Sequence, residues 1–148
     1  MQKCTLALGC FWKPEETFKS KAGIIETEVG YAGGLNERVT YEEVCNGNTG
    51  HAEVVRLTFD ENIISFKKII DLFFKMHDPT KKDMQYPDVG TQYRSEIFYE
   101  TDQQKQEASK ILNEFNKKFD GKIQTNITKI KNYCKAEEYH QKYIEKNK

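Results

Sequence analysis

A cysteine at position 10 stands between an apolar run and the residue types that open a helix. The run 5–8 ends at Gly9, and Pro14 and Glu15 follow the cysteine. Because proline and glutamate are typical of a first helical turn, the sequence places Cys10 at a strand-to-helix turn. The free N–H groups and positive dipole end of that helix favour a thiolate, which lowers a cysteine pKa from ~8.5 to roughly 3.5 to 7.5. We therefore predict a nucleophile at Cys10, the alternative being a buried structural cysteine.

Phe11 and Trp12 follow this cysteine directly. Large aromatic side chains beside a turn are more typical of the walls of a ligand pocket than of turn residues. We expect these two side chains to form an apolar pocket next to Cys10.

Glu53 lies in a segment, 51–60, that alternates as a β-strand. It shares one face of that strand with three apolar residues, Val55, Leu57 and Phe59. Burial on this face disfavours the charged carboxylate and raises its pKa. A carboxyl that stays protonated near neutral pH is a general acid, so we predict this role for Glu53. The alternative is an ion pair with Arg56 or Arg94.

The polar segment 88–95 adds a carboxylate, Asp88, and a phenol, Tyr93. An aspartate in such a segment also serves as a turn cap, so Asp88 has two interpretations, structural and catalytic.

Hydrophobic periodicity predicts strands and helices in alternation. The strands are expected over 3–8, 24–29, 51–60, 93–99 and 127–130, and the helices over 13–22, 65–77, 101–119 and 136–146. A glycine-rich loop, 30–50, is long enough to be functional. This order predicts an α+β fold, a two-layer α/β sandwich with a ferredoxin-like split β-α-β core and additional C-terminal elements. We expect one catalytic domain over 1–148.

The composition narrows the classes of partner. The chain carries 23 basic and 23 acidic residues, so no net charge directs it to nucleic acid or an anionic membrane. Its four cysteines lack C-x-x-C spacing, which favours free thiols, and its three scattered histidines lack the paired spacing of metal ligands. The N-terminus shows no signal-peptide pattern. We expect a cytoplasmic monomer that binds no metal, nucleic acid or membrane.

Seven short segments in order along the chain resemble the signature blocks of class A peptide methionine sulfoxide reductases. They are residues 9–12, 30–34, 40–45, 50–53, 77–80, 90–95 and 136–141. The resemblance implies that Cys10 is the nucleophile and that Glu53 protonates the sulfoxide oxygen. It also implies that Phe11 and Trp12 bind the S-methyl group of the substrate. The polar part of the site would consist of Tyr41, Asp88 and Tyr93.

The reaction implied by this resemblance is reduction of the S epimer of methionine sulfoxide, free or in proteins, without a cofactor. Such an enzyme repairs proteins after oxidative stress, and its nucleophile becomes a sulfenic acid that thiols reverse. Many relatives carry resolving cysteines in a C-terminal tail, whereas no cysteine follows Cys134 here. We favour recycling by an external thiol, glutathione with glutaredoxin or thioredoxin. The internal candidates for resolution are Cys134, which we prefer, and Cys45, which we interpret as structural.

Two other classes of function use the same residues. A thiol peroxidase or disulfide oxidoreductase would also use Cys10, but its C-x-x-C or flanking Arg and Thr are not present. A non-catalytic module that binds oxidised methionine would keep the aromatic pocket. The presence of both a nucleophile and a proposed acid argues against it.

Overall fold

The computed structural model describes all residues, 1–148. Its strands are β1 (Gln2–Leu8), β2 (Ile24–Ala32), β3 (Ala52–Phe59), β4 (Met84–Gln85), β5 (Asp88–Val89), β6 (Ser95–Tyr99), β7 (Asn126–Lys129) and β8 (Cys134–Lys135). Its helices are α1 (Trp12–Lys19), α2 (Tyr41–Cys45), α3 (Phe66–Met76), α4 (Asp102–Lys118) and α5 (Tyr143–Lys146). Two 3₁₀ turns cover Thr91–Tyr93 and Glu138–His140. None of the helices combines the length and the apolar character that crossing a membrane requires.

Six strands form one sheet in the order β7-β6-β1-β3-β2-β8, and β4 pairs with β5 in a separate hairpin. All neighbours in the sheet are antiparallel except β6 and β7. Strands β1 and β2 are connected through α1 and run parallel, and β3 lies between them. This is a split β-α-β unit, and the α+β prediction is confirmed.

The larger core lies between the sheet and the helices. It contains alternate residues of β1 and β3 together with Phe18 of α1 and the apolar face of α3. The opposite face of the sheet carries a smaller core around Ala7, Ala52 and Phe98, which Ile130 and Tyr133 cover. Because both faces of the central strands are buried, a polar side chain that points inward from these strands lies in a dry environment.

Local patterns predicted several elements well. The strands over 3–8, 51–60 and 127–130 are confirmed to within one residue at each end, as are the helices over 65–77 and 101–119. Strand β6 starts two residues later than predicted, because residues 91–93 form a 3₁₀ turn. Strand β2 extends into the predicted loop 30–50 as far as Ala32, and this loop also contains α2.

A capping box starts α2. The Thr40 hydroxyl accepts a hydrogen bond from the Glu43 amide at 3.2 Å, and the Glu43 carboxylate accepts one from the Thr40 amide at 2.9 Å. The T-x-x-E pattern is a recognised helix-start signal, so the sequence contained the information that locates α2.

Two helix predictions were wrong in extent. Helix α1 ends at Lys19, because tighter turn bonds from Ser20 and Lys21 lead into Gly23, which has a left-handed φ of 94°. The segment predicted as a helix over 136–146 instead begins with extended residues, followed by the 3₁₀ turn Glu138–His140 and the short helix α5. Its continuity is broken at Lys142, which has a φ of 54°.

Glu15 explains the break at Lys142. The buried Glu15 carboxylate accepts hydrogen bonds from the Lys142 amide at 2.7 Å, from the Lys142 ammonium at 3.3 Å and from the Thr27 hydroxyl at 2.8 Å. A buried carboxylate is costly unless it is fully hydrogen-bonded, so these bonds outweigh the local preference for a continuous helix. They attach the C-terminal segment to α1 and β2.

We predict that Glu15→Ala lowers the free energy of unfolding by about 3 kcal/mol, because it leaves a partly buried ammonium and a backbone amide without their partner. Urea denaturation measures this change. The control is Glu16→Ala at the next position, which removes only surface ion pairs with Lys19 and Lys148 and should unfold at nearly the same urea concentration as the parent. Equal destabilisation by the two substitutions would contradict the role given to Glu15.

Candidate active site

Cys10 occupies the turn between β1 and α1. Gly9 makes this turn possible with a φ of 94°, a conformation that favours glycine. A Cβ at Gly9 would also lie 3.0 Å from the Gln85 side chain, so the β4–β5 hairpin packs directly on the turn. The cysteine is half-buried, and its thiol is free.

Glu53 lies beside this turn. The carboxyl oxygen Oε1 accepts a hydrogen bond from the Phe11 amide at 3.3 Å, and the side chain is 1 % exposed. Burial, together with the negative charge of Asp88, raises the pKa of Glu53 to about 8 against the opposing effect of the Phe11 hydrogen bond. The carboxyl is therefore protonated at neutral pH, next to the residue that follows the cysteine.

The low pKa predicted for Cys10 is wrong. Burial raises the pKa of this thiol to about 11, and the charges of Glu53 and Asp88 act in the same direction. The helix starts only at Trp12, and a hydrogen bond from the Trp12 amide is the one effect that lowers the pKa. Desolvation therefore outweighs the helix terminus, and Cys10 is a thiol at neutral pH.

Three further polar residues predicted for the site come together here. Asp88 is close enough to raise the pKa values of Cys10, Glu53 and Tyr93 through its charge. Burial raises the pKa of Tyr93, and burial together with the nearby Cys45 thiol raises that of Tyr41. Both phenols consequently keep their protons and can donate hydrogen bonds.

Arg94 stabilises the 3₁₀ turn that carries Tyr93. The Arg94 guanidinium donates hydrogen bonds to the carbonyl oxygen of Thr91 at 2.9 Å, to that of Gly50 at 3.0 Å and to the Glu96 carboxylate at 2.6 Å. These bonds connect the 3₁₀ turn that carries Tyr93 to the segment before β3. Arg94 therefore pairs with Glu96, and the alternative pairing with Glu53 does not occur.

Phe11 and Trp12 belong to an aromatic wall that the sequence only partly predicted. The Trp12 ring stacks on Tyr143 with centroids 3.8 Å apart and planes 9° from parallel. The ring of Phe11 is 5.8 Å from Tyr31, and both Phe11 and Trp12 lie within 6 Å of His140. We call Phe11, Trp12, Tyr41, His140 and Tyr143 the aromatic wall.

His140 is the residue that sequence reasoning missed. Its Nδ1 accepts a hydrogen bond from the Trp12 indole N–H at 3.1 Å, which places the ring proton on Nε2. Nε2 is buried without a hydrogen-bond partner, and burial lowers the pKa of the ring, so His140 is neutral at pH 7. Its ring centroid is 4.4 Å from that of Tyr41. The block 136–141 contained His140, but no local pattern identified Trp12 as its partner.

Glu137 stabilises Tyr41 of the aromatic wall and the nearby Tyr31. Its carboxylate accepts hydrogen bonds from the Tyr31 hydroxyl at 2.8 Å and from the Tyr41 amide at 2.9 Å. Burial alone would raise the pKa of Glu137, but these hydrogen bonds reverse the effect and lower it. The charged carboxylate thus connects β2, α2 and the C-terminal segment.

The two candidate resolving cysteines differ in position. Cys45 is exposed at the end of α2, and its thiol influences the pKa values of Tyr41, Tyr93 and Cys10. Cys134 is half-buried in β8, and its thiol donates to the Val39 carbonyl oxygen at 3.6 Å. Cys45 therefore contributes to the electrostatics of the site, and the preference for Cys134 as the internal resolving thiol stays a prediction. No group of three or more His, Cys, Asp or Glu side chains is arranged to hold a metal ion.

Comparisons with known proteins agree on one family. Residues 2–148 match the family model described as peptide methionine sulfoxide reductase. The chain is 55% identical over 146 residues to the peptide methionine sulfoxide reductase MsrA of Pelagibacter ubique, covering 99% of both chains. It is 49% identical to the MsrA of Methanosarcina mazei, covering 99% of this chain and 70% of the relative.

Solved structures show the same similarity. Reduced Mxr1 from Saccharomyces cerevisiae superposes with a TM-score of 0.95 at 41% identity, covering 99% of this chain and 85% of Mxr1. The methionine sulfoxide reductase A of Corynebacterium diphtheriae gives 0.95 at 34% identity, with 99% and 74% covered. Mxr1 in complex with Trx2 gives a lower TM-score of 0.69 at 30% identity, with 96% and 84% covered. The fold therefore matches the reduced form of Mxr1 better than the Trx2-bound form.

The hydrogen bond to His140 can be tested through Trp12, the chain's one tryptophan, whose fluorescence therefore reports on this indole alone. We predict that His140→Phe, which removes the acceptor but keeps an aromatic ring, increases acrylamide quenching and shifts the emission. His140→Asn keeps an acceptor oxygen, so its acrylamide quenching and emission should be closer to those of the parent. Identical quenching in all three proteins would mean that Tyr143 stacking alone positions Trp12.

Proposed function

The chain belongs to the peptide methionine sulfoxide reductase family, and we propose that Cys10 and Glu53 carry out the family's reaction as nucleophile and general acid. The enzyme reduces the S epimer of methionine sulfoxide to methionine. This assignment replaces the peroxidase, disulfide oxidoreductase and binding-module alternatives. The observation that carries the two roles is the hydrogen bond between Glu53 and the Phe11 amide, because it holds a protonated carboxyl one residue from the nucleophile.

Substrate binding is proposed to activate the thiol. The S-methyl group packs on Phe11 and Trp12, and the sulfoxide oxygen accepts hydrogen bonds from Tyr41, Tyr93 and the Glu53 carboxyl. This arrangement directs the electron-poor sulfur toward Cys10. A positive centre beside a thiol favours the thiolate, so the pKa of Cys10 falls when substrate is bound.

The chemical step balances with these residues alone. The Cys10 thiolate attacks the sulfur and forms an S–S bond, while Glu53 protonates the substrate oxygen. This S–S bond and the S–O bond of the substrate then break as the oxygen forms a bond with the Cys10 sulfur, and methionine leaves. The oxygen is transferred to Cys10 with the proton from Glu53, which gives a sulfenic acid and a Glu53 carboxylate. Protonation matters because an oxide is a poor leaving group, and a carboxyl with a pKa of about 8 supplies that proton at neutral pH.

An external thiol is proposed to return Cys10 to its reduced state. The complex of Mxr1 with Trx2 supports a thioredoxin-type reductant, and glutathione with glutaredoxin is the second proposal. A thiol reductant suits a reducing compartment such as the cytoplasm. We further propose that residues 1–148 act as one catalytic domain and as a monomer.

Glu53 provides the first test of this mechanism. At saturating methionine sulfoxide, kcat is expected to fall as the pH rises through about 8, because Glu53 then loses the proton that it donates. Glu53→Gln keeps a hydrogen-bond donor that does not titrate, so it should be slower than the parent but lack this decline. Glu53→Ala should be slower than Glu53→Gln. Single-turnover rates between pH 6 and pH 9.5 measure these effects, and parent-like rates in Glu53→Ala would refute the assignment.

The number of thiols lost in one turnover tests the recycling. Reduced enzyme mixed with excess methionine sulfoxide and no reductant should lose one thiol per chain, with a dimedone adduct at Cys10 that mass spectrometry locates. Cys45→Ser and Cys134→Ser should give the same result, since neither thiol is proposed to resolve the sulfenic acid. Loss of two thiols, with a bridge from Cys10 to Cys45 or Cys134, would instead establish internal resolution.

A further inference from the structure

Gln85, in strand β4, connects three parts of the molecule around the site. Both ends of its side-chain amide bond to the backbone of Asp78: Nε2 donates to the carbonyl oxygen at 2.6 Å, and Oε1 accepts from the amide N–H at 3.1 Å. The methylene groups of Gln85 pack on Gly9, where a Cβ would lie 3.0 Å from both of them. Across the hairpin, Gln85 pairs with Asp88. The side chain therefore links the segment after α3, the turn of Cys10 and the strand that carries Asp88.

The β4–β5 hairpin has few other attachments to the molecule. Tyr86 and Val89 are 91% and 71% exposed, so neither belongs to the core. Apart from Gln85, no side chain of residues 83–90 forms a hydrogen bond or an ion pair. The backbone bond from the Gly90 amide to the Asp83 carbonyl oxygen, at 2.8 Å, stays within the hairpin. The two bonds of Gln85 are therefore the hairpin's side-chain attachment to the rest of the chain.

We propose that Gln85 is a positioning residue for the proposed reaction, because its side-chain amide holds Asp88 next to Cys10 and Glu53. The inference rests on the proposed function, which gives Glu53 the role of general acid. An amide carries a donor and an acceptor in fixed geometry. It can thus pair with the N–H and the C=O of one residue, as a residue of a neighbouring strand does.

Asp88 matters to Glu53 because its charge acts on a buried carboxyl. The other titratable groups that interact with the charge of Glu53 come from the turn, β2, α2 and the 3₁₀ turn, and they are Cys10, Tyr31, Tyr41 and Tyr93. Burial raises the pKa of each of these four groups, so all are neutral at neutral pH. The Asp88 carboxylate is therefore the charge that adds to burial in raising the pKa of Glu53.

The distance between the two carboxyls determines how strong this effect is. A negative charge opposes ionisation of a nearby carboxyl, and the repulsion weakens as the separation grows. Release of the hairpin would consequently lower the pKa of Glu53. The proposed acid would then lose its proton at a lower pH, and less of it would be protonated at neutral pH.

The test measures the pKa of Glu53 directly, by ¹³C NMR of the glutamate carboxyl carbons from about pH 5 to about pH 10. The Glu53 signal is the one that is missing in Glu53→Gln. Gln85→Met keeps the length and the packing on Gly9 but removes both hydrogen bonds to Asp78. We expect Glu53 to titrate at a lower pH in Gln85→Met than in the parent. Asp88→Asn, which removes the charge itself, should shift the titration in the same direction.

The double variant distinguishes positioning of Asp88 from a general structural role. If Gln85 acts through Asp88, Gln85→Met should hardly lower the pKa of Glu53 further once Asp88→Asn is present. An equal fall in both backgrounds would overturn the proposal, because Gln85 would then act by excluding water from Glu53. An unchanged Glu53 pKa in Gln85→Met alone would overturn it as well.

Hydrogen exchange reports on the hairpin itself. The Gly90 amide should exchange roughly tenfold faster in Gln85→Met, because opening of the hairpin no longer breaks the two bonds to Asp78. The control is Gln103→Met in α4, which removes only a surface hydrogen bond of 3.1 Å to Glu107. It should leave the Glu53 pKa and the Gly90 exchange rate as in the parent.

Kinetics separate failure of this proposal from failure of the proposed function. The decline of kcat with rising pH should begin at a lower pH in Gln85→Met and in Asp88→Asn than in the parent. If the parent shows no decline near pH 8, the general-acid assignment fails, and the NMR titration still decides whether Gln85 positions Asp88. If the parent shows the decline and Gln85→Met changes neither the decline nor the titration, the proposed function stands and the positioning role of Gln85 fails.

Discussion

The hydrogen bond between the buried Glu53 carboxyl and the Phe11 amide is the interaction on which the site depends. It joins the strand in the centre of the split β-α-β unit to the turn that carries Cys10. A buried carboxyl with one backbone donor and a nearby Asp88 is more stable protonated than charged. The same burial that supports the proposed role of Glu53 as general acid also suppresses the thiolate of Cys10, so both groups are mainly protonated at neutral pH.

In the proposed mechanism, this arrangement makes the reactivity of Cys10 depend on the binding of substrate. A permanently ionised cysteine is exposed to oxidants and other electrophiles, whereas a thiol with a pKa of about 11 reacts slowly until a substrate changes its surroundings. The phenols of Tyr41 and Tyr93 also keep their protons, because burial raises their pKa values. The three groups that we propose to bind the sulfoxide oxygen, Tyr41, Tyr93 and Glu53, therefore keep their protons and can donate hydrogen bonds at neutral pH.

The C-terminal segment completes the pocket by a chain of long-range contacts. Glu15 holds the Lys142 backbone, and the segment on either side of it contributes His140 and Tyr143 to the rings around Trp12. A segment with little core of its own is therefore attached to the rest of the chain by hydrogen bonds of Glu15, Glu137 and Trp12. The pocket wall and the end of the chain are consequently expected to gain or lose order together.

The sequence by itself determined the features that depend on near neighbours: the strand-turn-helix around Cys10 and the inward face of Glu53. It also contained the capping box at Thr40, although we predicted a loop over 30–50. Periodicity and capping involve residues that are close together along the chain, so both can be recognised in a single sequence. Only the tertiary structure decided the raised pKa of Cys10 and the bond between Trp12 and His140, which are 128 residues apart. Desolvation and long-range hydrogen bonds depend on which surfaces meet in the folded chain, and local pattern carries no information about that.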